Sequence, residues 1–128
     1  MNKDELRERM TVLAVRIVKM VDAMPSTVAG QAIARQIIRS GTSPSANYRA
    51  ACLAKSDRDF LNKLKMVEEE LDETCHWLEI IMRSEMIKES RLKPLHQEAS
   101  ELLNIVAKSI VTVKTRINAD EIAKSKKS

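Results

Sequence analysis

Aromatic side chains are almost missing: Tyr48, Phe60 and Trp77 are all that 128 residues carry. So few rings cannot furnish a base-stacking sheet, and any nucleic acid this chain meets is held through backbone charge and shape. Glycine is scarcer still, with two residues beside three prolines. Gly30 and Gly41 stand alone, which excludes a glycine-rich phosphate loop and a nucleophile elbow. Cys52 and Cys75 are far apart and have no further thiols near them, so they form neither a zinc pattern nor a redox motif. They read as reduced, buried side chains. No uncharged apolar run approaches the roughly eighteen residues that span a bilayer, and no apolar leader with a small-residue cleavage site is seen. A soluble, cytoplasmic protein with no membrane partner is the expectation.

What remains is helix-forming material. Ala, Leu, Ile, Met, Lys, Arg and Glu dominate, the residues that lose least on entering a helix. The length suits one domain able to bury a core without metal or disulfide help. The net charge of +4 and pI near 9.2 allow an acidic partner, although the excess is small.

Four helices follow from the apolar spacing. Asn2 and Glu5 have capping-box spacing, and Leu6, Met10, Leu13, Ile17, Met20 and Met24 form a heptad stripe from about residue 3 to residue 23, before Pro25. Ser26 or Thr27 caps a second helix whose core side is small residues. Gly41 and Ser43-Pro44 either break it or bend it, and a bent continuous helix to about Ala54 keeps Arg35, Arg39, Thr42 and Arg49 on one face. Ser56 and Asp59 cap a third helix, in which Phe60, Leu64, Val67, Leu71, Thr74, Leu78 and Ile81 alternate four and three to about Arg83. Ser90 caps a fourth with Pro94 in its first turn, striped by Leu92, Leu95, Ala99, Leu102, Val106, Ile110, Val113 and Ile117. The pattern stops after Asn118. Residues 1–118 are therefore expected to form an all-α, antiparallel up-down-up-down bundle, and residues 119–128 a polar, mobile tail. Val12, Val15, Trp77, Ile80 and Val111 lie off the seams, which predicts self-association.

Candidate chemistry is thin. Glu73-x-x-His76 has the spacing of a di-iron half-site, but His96, the only other histidine, has no Glu three residues before it. Cys75 and His76 are adjacent and project about 100° apart, so they do not face each other as nucleophile and base. No catalysis, metal or other cofactor is expected. The basic residues Arg35, Arg39, Arg49, Lys55 and Arg58 are the candidate nucleic-acid-binding set, able to hold phosphates without reading sequence. The alternative is a solvated face paired with the acidic middle of the third helix, Glu68 to Glu73. Two further readings stand beside this one: a protein–protein scaffold, and a bundle metalloprotein.

Gln36-Ile37-Ile38-Arg39-Ser40, then Gly41-Thr42-Ser43-Pro44-Ser45-Ala46-Asn47-Tyr48, then Lys55-Ser56-Asp57-Arg58-Asp59-Phe60 resemble the four-helix-bundle proteins encoded by 23S rRNA intervening sequences. The likeness covers roughly residues 6 to 117. That family is related to the accessory protein of diversity-generating retroelements, which works with a reverse transcriptase and RNA. The resemblance implies a left-handed bundle assembled as a homopentamer, without known catalysis. It also implies a basic surface for RNA or DNA and a protein partner such as a reverse transcriptase. The sequence departs from the commonest pattern of the family at Ala50-Ala51 and looks like a variant branch.

Overall fold

Four helices make up residues 1–127, which the computed structural model describes: α1 (Lys3–Val21), α2 (Val28–Cys52), α3 (Asp57–Arg83) and α4 (Glu89–Lys127). Three start on side-chain caps. Asn2 accepts from the Glu5 amide, Thr27 from Gly30 and Ser56 from Asp59. These bonds occupy amides that the first turn of a helix leaves without a partner. Glu5 does not reach back to the backbone of Asn2 as a capping box would; its carboxylate receives the Asn2 side-chain amide instead, at 2.9 Å.

Consecutive helices pack along their lengths, α1 on α2, α2 on α3 and α3 on α4, while α1 and α4 meet sparingly. Asp57 meets Arg116 while Cys75, further along α3, meets Ser100, earlier in α4, so these two helices run in opposite senses; Ser40 and Thr74 join α2 to α3. The result is an up-down-up-down four-helix bundle. Heptad positions supply the core, with Met10, Leu13, Ile17, Leu64, Leu71, Leu78 and Leu102 fully buried. Each such side chain contributes about 1.5–3 kcal/mol by leaving water. Trp77, placed off the seam by its spacing, packs against this core, whereas Val12, Val15, Val18, Met66 and Val111 remain exposed.

α2 runs unbroken through Gly41 and Pro44. Pro44 removes one donor and crowds the preceding turn. Hydroxyls gather on the carbonyls just before it: Thr42 donates to Ile38 at 2.6 Å and Ser43 to Arg39 at 2.8 Å. Gly41 is buried for a packing reason. A Cβ there would lie 2.8 Å from Ile17 Cγ1, so the missing side chain is what lets α1 approach.

Four boundaries differ from the sequence expectation, among them that of α2, which ends at Cys52 rather than near Ala54. α1 ends at Val21, short of residue 23, and two turn bonds, Ala23 to Met20 and Met24 to Val21, carry the chain into Pro25. α4 begins at Glu89, before Ser90, and does not stop at Asn118 but continues to Lys127. Ser128 of the expected tail lies outside the described residues. Between α3 and α4 the chain turns without glycine. Met86 N–H bonds the Ile81 carbonyl, Glu85 N–H bonds Met82, and Glu85 takes φ 61°. That is a Schellman termination with Glu85 in the left-handed position and apolar Met86 following it.

Candidate nucleic-acid interface

Arg35, Arg39 and Arg49 sit on the outer side of α2, and all three are exposed. Their spacing spreads them over about 80° of the helix circumference, enough to turn the two ends of the set toward different neighbours. Arg39 leans to α3. Its Nη1 meets Glu70 Oε2 at 2.9 Å and its Nη2 pairs with Glu73. Burial works against the Arg39 charge, but the two carboxylates outweigh it and raise the pKa. Arg49 leans to α1, where it lines a cleft of about 650 Å³ with Arg7, Glu8, Thr11, Ser45 and Ala46. Arg35 lies between these two directions and makes no ion pair among the described residues.

Lys55 and Arg58 stand just past the C-terminal end of α2, at its turn into α3. Lys55 is exposed in the turn. Arg58 pairs with Glu121 of α4. Beside it Arg116 donates to both Asp57 oxygens, at 3.0 and 2.8 Å. These hydrogen bonds pull the Asp57 carboxyl below its ordinary range and push the Arg116 guanidinium up.

The five candidates therefore do not form one face. Arg35 and Arg49 are free of acidic partners among the described residues, and Arg49 gains a neighbour, Arg7 of α1, that helix-by-helix spacing does not reveal. Arg39 follows the alternative reading and pairs with the acidic middle of α3, while Arg58 is drawn into a contact with the far end of α4. Arg7 itself keeps Asp4 at 3.2 Å, an exposed pair of small energetic weight.

Other candidates from the sequence are occupied elsewhere. Glu73 serves Arg39, and the His76 ring is edge-on to Trp77 at 5.0 Å. Among the described residues no three or more His, Cys, Asp or Glu side chains come together as a metal group. Cys75 lies 3.6 Å from Ser100 Oγ, and burial pushes its thiol pKa up. Among the described residues no helix is long and apolar enough to cross a membrane.

The sequence model of the 23S rRNA-intervening sequence protein family matches residues 3–108, most of the bundle. The chain belongs to this family. A crystal structure from Bacteroides thetaiotaomicron, described as a protein of unknown function from the S23 ribosomal protein family, is similar at 33% identity with a TM-score of 0.74. The similarity covers 82% of this chain and 97% of that one. Comparison with curated proteins gives no match. Among the features of this 23S rRNA-intervening sequence protein, α2 and its basic residues fall wholly inside the matched span, while the last turns of α4 fall beyond it.

Proposed function

We propose that this bundle binds RNA, or a complex of nucleic acid and protein, without catalysing a reaction, and does so in the cytoplasm as a homo-oligomer. The observation that carries the reading is the pair Arg35 and Arg49 on α2. Both are exposed and lack acidic partners among the described residues, and Arg49 faces Arg7 across a cleft between α1 and α2. Guanidinium groups so placed suit phosphate oxygens, which they bind by paired hydrogen bonds. Membership of a family named for ribosomal RNA intervening sequences supports the same direction. DNA and a polymerase such as a reverse transcriptase are compatible partners for a surface that recognises backbone charge.

Self-association has its own support. Val12, Val15 and Val18 are between 44% and 47% exposed and follow one another along the outside of α1. Such a strip is apolar surface that a second copy can cover. A homopentamer is the assembly proposed, by the family resemblance.

Filter binding with a labelled RNA tests the function. The chain retains the RNA at low salt, and changing Arg35 and Arg49 to Glu weakens retention at least tenfold, since two favourable phosphate contacts become repulsive. Unchanged retention in that variant removes these residues from the interface. Absence of any retention at low salt removes the proposal. Recovery of a protein partner with no nuclease-sensitive material would instead support a scaffold.

A further inference from the structure

The positive charge of this chain is not spread evenly. Residues 109–127 hold five cations, Lys114, Arg116, Lys124, Lys126 and Lys127, against two carboxylates, Asp120 and Glu121, which leaves +3 of the chain's +4. Everything up to residue 108, where the family match ends, is close to charge balance. The charged segment is the helical continuation of α4.

Two contacts fix its direction. Arg116 holds Asp57, and Glu121 holds Arg58, so α4 lies along the first turn of α3. Past Glu121 the six remaining described residues rise about 9 Å at 1.5 Å per residue, carrying the helix beyond the end of the bundle. Lys124 lines the cleft formed there with Ser56, Asp57, Arg58, Ile117, Asp120 and Glu121. Lys127, three residues on, shares its face, and Lys126 projects to the other side.

Internal pairing at this end takes acids and bases one for one and leaves lysines over. Asp57 and Glu121 are taken by arginines and Asp59 by Lys63, while Lys124, Lys126 and Lys127 make no ion pair among the described residues. Asp120 is the one carboxylate of the segment outside a salt bridge. Nearby, Lys55 is exposed in the α2–α3 turn.

We propose that the last turns of α4 form a helical cationic arm that grips the phosphate backbone of a nucleic acid beyond the end of the bundle, with Lys55 beside it. This rests on the RNA-binding reading above and adds a second, separate contact region to it. A phosphodiester backbone fits better than an acidic protein surface. Lysines are mobile point charges that follow a repeating polyanion, and the arm has only Ile122 as a large apolar side chain, whereas protein interfaces centre on buried aromatic and Arg anchors.

The test uses the full chain and a fluorescein-labelled RNA hairpin, with affinity followed by anisotropy from 50 to 300 mM salt. Three proteins are compared: the wild type, the triple change Lys124→Gln, Lys126→Gln and Lys127→Gln, and the same three lysines changed to Arg. Gln keeps helix propensity, and far-UV circular dichroism verifies that the helix remains. The Gln variant binds about tenfold more weakly at 100 mM salt. Its plot of log affinity against log salt is shallower by about 2, because each neutralised phosphate contributes roughly 0.7–0.9 to the slope. The Arg variant binds like the wild type. Wild-type binding with an unchanged affinity and slope in the Gln variant overturns the arm while leaving the α2 surface standing. No wild-type binding overturns both. Poly-glutamate bound as tightly as the hairpin, and lost equally in the Gln variant, overturns the choice of nucleic acid.

Discussion

Tyr48 is the only phenol in the chain, and on α2 it is 3% exposed, grouped with Leu6 of α1, Phe60 of α3 and Ile105 of α4. Burial, with Cys52 nearby, pushes its pKa up to about 12. A raised folded-state value stabilises the fold fully below the ordinary range near 10, and that contribution is lost as pH rises toward 12. A spectrophotometric titration at 295 nm therefore shows no phenolate at pH 10.5 in the folded protein, and phenolate emerges together with unfolding at higher pH. Ionisation at pH 10 with the helix signal intact would mean that Tyr48 is not buried. Gly41 gives a second residue-level test. Alanine is the better helix former by about 1 kcal/mol, yet its Cβ would collide with the branched Ile17 side chain, and overpacking costs about 1–3 kcal/mol. Gly41→Ala lowers the melting temperature, and by less in an Ile17→Ala background. An equal or higher melting temperature would show that α1 is free to move aside.

The helices themselves were legible because each signals its own start and its own face. Asn2, Thr27 and Ser56 are the N-caps, although Glu5 does not complete the box that its spacing predicts, and the four-three stripe of α3 is its buried face. The end of α4 was not legible. Its apolar stripe stops near Ile117, and what carries the helix on are the links Asp57–Arg116 and Arg58–Glu121, between residues some sixty positions apart. In the candidate interface the acidic middle of α3 was legible as an alternative partner, and Arg39 takes it, whereas Glu121 of α4, which pairs with Arg58, was not. Glu85 tests the α3–α4 connection. A non-glycine residue in the left-handed region costs about 1–2 kcal/mol, so Glu85→Gly raises the unfolding free energy by about 0.5–1 kcal/mol in urea. A loss of stability of that size would contradict the Schellman termination.

At the scale of the molecule, the bundle leaves two kinds of surface unused. One is the apolar strip Val12, Val15 and Val18 on α1, which the proposed oligomer covers. Multi-angle light scattering at micromolar concentration gives about five times the 14.5 kDa chain mass, and Val15→Glu reduces it. A monomer in the unaltered chain would contradict the assembly. The other is the unpaired basic surface, split between Arg35 and Arg49 on α2 and the lysines ending α4. The most direct test of the account is the salt dependence of RNA affinity for the unaltered chain. If both surfaces hold phosphates, log affinity falls linearly with log salt, with a slope of about −3 or steeper. A flat dependence, or no binding at 50 mM salt, would contradict it.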